Sequence, residues 1–179
     1  ANYDGKDIVL SGEVMVEHEI GKMSADHMVL TPESEEQHYH FVNLKMDGNV
    51  KMQLKDGGQL FCSHADLDYL KSKGKFRGDV DHEYVVYTES CKVNEDKRMP
   101  LVLKAREMNV SLESNENEGV KVSRSSINEI TANQNVTLNY NHDFVAAADL
   151  AVYRRFGSSS NNMAGQIDLF ATSQNGTCQ

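Results

Sequence analysis

In the stretch Gly48-Asn49-Val50-Lys51-Met52-Gln53-Leu54-Lys55, apolar side chains fall on every second residue and polar ones between them. A period of two is the signature of a strand with one face buried and one face wet. The same pattern recurs outward in both directions. Val14, Val16 and Ile20 share a face opposite Glu13, Glu17 and Glu19, with His18 as the polar exception on the apolar side. Met108, Val110 and Leu112 alternate with Asn109, Ser111 and Glu113. Val136, Leu138 and Tyr140 alternate with Thr137 and Asn139. Turn signals separate the runs at Asp47-Gly48, Asp56-Gly57-Gly58, Lys73-Gly74 and Asn139 to Asp143. No segment of helical length carries an i, i+3, i+4 apolar stripe. The chain reads as all-β, its short connections making the strands antiparallel.

The quoted stretch is also one copy of an internal repeat. Gly48-Asn-Val50 leads through a strand and a turn to Ala65-Asp66, as Gly12-Glu-Val14 leads to Ala25-Asp26. Gln134-Asn-Val136 leads to Ala148-Asp149, and a looser copy runs from Gly78-Asp-Val80 to Ala105-Arg106. Each unit reads as strand, turn, Ala-Asp corner, strand, with a small Ala where the backbone bends and an Asp to cap it. No unit buries its apolar face alone, so the units stack or fold over one another.

This pattern resembles the LptA/OstA-like family of lipopolysaccharide-transport proteins, over roughly Ile8 to Val152. Leu10-Ser-Gly12-Glu-Val14 with Ala25-Asp26 and Met46-Asp-Gly48-Asn-Val50 with Ala65-Asp66 carry it, joined by the copies at Phe76 to Val80 and Asn135-Val136. Arg106 in place of Asp and Gln134-Asn135 in place of Gly-x depart from it. The resemblance implies a twisted β-jellyroll, an open trough of repeated antiparallel units over residues 1–156, followed by a polar tail with a partial strand over 157–179. It implies a periplasmic location and lipopolysaccharide or a related lipid as ligand. It also implies end-to-end association with other β-jellyroll transport proteins or with itself.

Composition narrows the function independently. Eighteen Lys and Arg against twenty-seven Asp and Glu in 179 residues give a net charge of -9, which opposes nucleic-acid binding. No window approaches the roughly 18 consecutive apolar residues of a membrane-spanning helix. No secretory leader pattern stands at Ala1, so the chain reads as a mature protein or an excised fragment. Three cysteines are too few for a disulfide scaffold: either Cys62 and Cys91 form a bridge or all three, with Cys178, are reduced. Asn109, Asn135 and Asn175 head short glycosylation sequons.

No arrangement of catalytic residues emerges, and no cofactor or metal is expected. His38-Tyr-His40 lacks the Glu that a cupin-type site requires, Asn43-Leu44 standing in its place. Asp66-x-Asp68 and Asp79-x-Asp81-His82 present carboxylate pairs, the first already explained as a repeat corner. The apolar stripes carry the functional weight. They form either an ordinary core or a groove for acyl chains, rich in adaptable methionine at Met15, Met23, Met28, Met46, Met52 and Met108. Both readings point Val14, Val16, Ile20, Met28, Val50, Met52, Leu54, Met108, Val110, Leu112, Val136, Leu138 and Tyr140 inward. Lys71, Lys73, Lys75, Arg77, Arg154 and Arg155 are either solvated surface or partners for lipid phosphates. Open strand edges are expected at Ile8-Val9-Leu10 and at Leu150 to Tyr153, or at Ile167 to Leu169 if the tail folds back. The alternative function is a structural β-module that binds proteins by strand addition, and a small metalloenzyme is a third.

Overall fold

A computed structural model of the protein describes residues 2–3, 6–18, 20–33, 41–92, 98–112, 115–117, 120–122, 127–156 and 164–171. All regular elements among them are strands, and every pairing is antiparallel. In chain order they are β1 (Asn2–Tyr3), β2 (Ile8–His18), β3 (Gly21–Pro32), β4 (Phe41–Leu54), β5 (Gln59–Asp68), β6 (Lys73–Arg77) and β7 (Val85–Lys92). There follow β8 (Arg98–Ala105), β9 (Glu107–Leu112), β10 (Asn115–Asn117), β11 (Val120–Val122), β12 (Ile127–Tyr140), β13 (Phe144–Phe156) and β14 (Ala164–Phe170). Twelve of them form one sheet, and β10 and β11 pair as a separate hairpin.

The sheet forks. β5 pairs along its whole length with β4, but on its other side its later half meets β6 and its earlier half meets β7. β12 forks in the same way, onto β9 with one half and β8 with the other. The sheet therefore has two arms, joined through the long strands. In the first arm a row of paired residues runs Leu10, Met28, Met46, Ala65, Phe76, Met108, Ala132 and Ala151 across eight strands. In the second a row runs Val16, Met23, Met52, Leu60, Tyr87, Leu103, Leu138 and Ala146.

Between the arms lies a line of bulges, and the sequence repeat marks it. Register slips between Ser11 and Val14, between Asp47 and Val50, and between Asn133 and Val136, each around the first two residues of a repeat copy. One extra residue on the bulged strand bends it and sharpens its twist. Gly12 and Gly48 have φ of 103° and 74°, and Gln134 and Asn135 adopt 65° and 53°, the left-handed region that glycine enters most easily. The departure from Gly at 134 thus keeps the backbone shape that the other copies have. The looser copy falls on the same line: Gly78 N donates to Arg106 O at 3.1 Å, and Arg106 N donates to Gln134 O at 3.0 Å. Asp26 lies opposite Gly12-Glu13, and Asp149 opposite Gln134-Asn135. In the second copy the corner falls at Ser63, opposite Gly48-Asn49, and not at Ala65-Asp66. Asp66 sits within β5, where its carboxylate accepts from Asn43 Nδ2 at 2.9 Å.

The arms fold onto each other across this line. Apolar side chains from both make one continuous core, and no helix is present among the described residues to cover it otherwise. Tyr87 of the second arm lies 6.2 Å from Tyr153 of the first, centroid to centroid. His18 packs against Tyr69 with ring centroids 4.7 Å apart and planes tilted by 38°, again across the arms, which accounts for a polar ring on the apolar side of β2.

The terminal edges differ from expectation in one respect. Asn2 and Tyr3 pair with Val9 and Ile8, so β1 covers the apolar start of β2. Among the described residues, the outer edge of β2 is unpaired only beyond Val9. At the other end the tail does fold back: β14 pairs with Leu150 to Phe156, and among the described residues Phe144 to Asp149 keep one free edge.

A Cβ at residue 48 would stand 2.6 Å from Asp26 Oδ2, which Asn49 Nδ2 already holds at 2.8 Å, whereas nothing lies within 4 Å of one at residue 12. Both positions carry the backbone penalty of a left-handed residue. Urea unfolding is expected to show Gly12→Ala costing about 1 kcal/mol and Gly48→Ala about 2 kcal/mol. Equal losses would mean that the contact with Asp26 adds nothing.

Candidate functional site

Alternation on bent strands turns one face of every strand into the space between the arms. The predicted inner-face residues come together there. Ile20, Met28, Val50, Met52, Leu54, Met108, Val110, Leu112, Val136 and Leu138 are buried, and Val14, Val16 and Tyr140 are half-buried near the ends of the sheet. Met23 and Met46 join them, but Met15 points the other way and is 76% exposed. Strand parity explains this: Met15 pairs with Ser24, while its neighbours Val14 and Val16 pair with the buried Ala25 and Met23.

The interior is packed and strongly desolvated. Burial pushes the Cys62 thiol up to about 12, with weaker opposing help from backbone hydrogen bonds of His64 and Arg77. Its Sγ donates to the His64 carbonyl at 3.3 Å, and the thiol is free, so no bridge joins it to Cys91. Burial likewise raises the Tyr69 hydroxyl. At both ends this core opens outward. Ile8, Leu10, Val14 and Val16 on β2, and Ala146, Ala148 and Ile167 on β13 and β14, pack against it while remaining partly accessible. Phe144, Val145, Leu169 and Phe170 at the second end are exposed.

The basic residues do not make a free cationic patch. Lys71 bonds Asp68 at 2.8 Å, Lys75 bonds Glu107 at 2.8 Å, and Arg154 bonds both Glu129 and Asp168 at 2.8 Å. Lys71, Lys73 and Lys75 line a groove of about 540 Å³ on the outer face of the first arm, but Asp66, Asp68 and Glu129 line it with them. Arg155 turns its side chain between the arms, where it is largely buried.

The paired carboxylates have structural work. The Lys71 side chain and backbone hydrogen bonds hold the Asp68 carboxyl below its ordinary range. The Asp79 carboxyl is held low by the backbone N–H of His82 first, then by Ser63 and Asp81. Asp79 Oδ1 accepts from Asp81 N at 3.0 Å and His82 N at 2.7 Å, so it closes the turn after Gly78. On the outer side of the bulge line His64 Nδ1 bonds Asp47 at 2.6 Å. No group of three metal-ligating side chains occurs among the described residues. His38 and His40, the side chain of Cys91, Asn175 and Cys178 lie outside them.

Sequence reasoning missed the charged cluster of Asp56, Glu89 and Arg155 inside the fold. The signal was present as parity. Val85, Tyr87 and Glu89 share one face of β7, and Ala151, Tyr153 and Arg155 share one face of β13.

Val50→Asp or Val110→Asp is expected to cost upwards of about 3 kcal/mol in urea unfolding, because each buries an unpaired charge. Val80→Asp, at a fully exposed position, should stay within about 0.5 kcal/mol of wild type. Cys62 is expected to resist alkylation at pH 8 in the folded protein, since a raised pKa leaves no thiolate to react. Peptide mapping that finds Cys62 modified as fast as in urea would contradict this burial. No family model, curated protein or solved structure matches the chain.

Proposed function

We propose that the protein is a non-catalytic periplasmic carrier or bridge for lipopolysaccharide or a related lipid. In this reading the folded sheet is a twisted β-jellyroll whose trough takes acyl chains between its arms. One observation carries it: the apolar core extends from β2 to β14 and stays partly accessible at both ends. A core that served stability alone gains nothing from apolar side chains left open at its two terminal strands. The repeat that resembles the LptA/OstA-like family supplies the class of ligand and the compartment. Methionines at five inner positions provide a surface that re-packs around chains of varied shape.

A second reading rests on the edges. Among the described residues, β2 beyond Val9 and β13 over Phe144 to Asp149 each have one unpaired edge. Such edges favour addition of a strand from another chain. Met15 and Val145, 76% and 68% exposed, stand on these two edges, neither of which carries a lysine or a proline. Head-to-tail pairing of copies, or of this chain with related jellyroll partners, would join the apolar interiors end to end.

Titration with a fluorescent lipopolysaccharide is expected to give saturable binding to the wild type. Binding should be lost in any folded variant that replaces an apolar inner residue, such as Val50 or Val110, by Asp. Absence of saturable binding by the folded wild type overturns the carrier reading. Light scattering is expected to show concentration-dependent association that Met15→Lys with Val145→Lys reduces. A wild type that stays monomeric across the range overturns the edge reading.

A further inference from the structure

Two strands place charge where alternation calls for apolar side chains. The inward faces of β7 and β13 carry Glu89 and Arg155, and the two strands come together there only because the sheet is folded over. The side chains of Arg155, Asp56 and Glu89 are 8%, 9% and 3% exposed. Arg155 Nη2 bonds Glu89 Oε1 at 2.7 Å and donates to the Tyr87 hydroxyl at 2.7 Å. Arg155 Nη1 bonds the carboxylate of Asp56, in the turn between β4 and β5. Glu89 Oε2 accepts from the Tyr87 hydroxyl at 2.8 Å and from the Tyr153 hydroxyl at 2.9 Å. Gly58 N donates to Asp56 Oδ1 at 3.0 Å, which fixes the turn that carries the carboxylate.

The position of this cluster matters as much as its bonds. β13 crosses the bulge line at Asp149 and runs away from it through the first arm to Arg155. β4 crosses at Gly48-Asn49 and runs away through the second arm to the turn holding Asp56. The bonds therefore tie the free rim of one arm to the free rim of the other, on the side away from the bulges. A buried ion pair adds little net stability over well-packed apolar groups. What it changes is the response to losing a partner. A lost methyl leaves a void, whereas a buried charge without its partner is relieved by water. At a rim, water enters by parting the arms.

We propose that Arg155, Asp56 and Glu89 form a clasp that holds the arms shut, with the bulge line as the hinge opposite. Breaking the clasp exposes the apolar interior. Arg155 does not open the clasp by losing its proton. Burial opposes the charge on Arg155, but Tyr87, Glu89 and Asp56 outweigh it and raise its pKa further. Burial foremost also raises the Tyr87 and Tyr153 hydroxyls, so both remain neutral donors. A group that competes for the guanidinium, such as an anionic head, opens it instead. As a gate for lipid the clasp rests on the carrier reading above; as a fastener between the arms it does not.

Hydrogen exchange read by mass spectrometry on the full chain tests the clasp without lipid, in wild type, Asp56→Asn and Arg155→Met. Both variants are expected to exchange about tenfold faster at Tyr87–Glu89, Tyr153–Arg155 and the turn of residues 55–58. Amides beside the bulge line, at Val50 and Val136, should keep their wild-type rates. Binding of the apolar dye anilinonaphthalene sulfonate should rise several-fold alongside. If Arg155→Met fails to fold, Asp56→Asn decides the matter, because it leaves the Arg155–Glu89 pair in place. Faster exchange spread evenly over the chain, or none at all in Asp56→Asn, overturns the clasp. Fluorescent lipopolysaccharide titrated in parallel separates the two proposals. Failure of wild type and opened variants alike to bind it removes the lipid and leaves the clasp standing.

Discussion

A single row of bulges sets everything else in this molecule. An antiparallel sheet of this width has two faces and one hydrophobic set, and alternation alone cannot bury that set without a second layer. Bending every long strand at the same height makes the sheet its own second layer. The bend needs left-handed backbone at recurrent positions, and Gly12, Gly48, Gln134 and Asn135 provide it. Side chains along the line then lock it, as where Asn49 holds Asp26 across from Gly48. Burial, the contacts between arms and the charged cluster at the rim all presuppose that bend.

Much of this was legible in residue order. Val50, Met52 and Leu54 announced a half-buried strand, and cross-strand pairing confirmed which way each of them points. The repeat was legible too, and its meaning became clear with the register: Gly12, Gly48 and Gln134-Asn135 lie at bulges, and Asp26 and Asp149 face the first and the last of them. The second copy misled because Ala65-Asp66 matches the pattern while the bend is at Ser63. A local motif fixes a bend to within a residue or two, and the partner strand decides the rest.

The misses share a physical cause. Met15 was grouped by residue type, although its parity on β2 sends it outward. Asn2 and Tyr3 were given no role at the start of the chain, yet they pair with β2. Arg155 reads in the sequence as solvated surface or as a partner for lipid phosphates, and arginine seldom lies inside a sheet. Its partner Asp56 is 99 residues away in sequence. No spacing rule reaches that far, since contacts between the arms depend on the twist and closure of the whole sheet. Sequence periodicity encodes faces, and tertiary closure decides which faces meet.

The forked pairing of β5 and β12 has a consequence for how such a molecule changes size. Each long hairpin, such as β3 with β4, supplies a strand pair to both layers at once. Adding or deleting one hairpin would lengthen or shorten the body by about 10 Å, two strand spacings, and leave its cross-section untouched. Growth by duplication of a bent hairpin therefore needs no new core to be invented. The near-repeats along this chain are units suited to such stepwise lengthening.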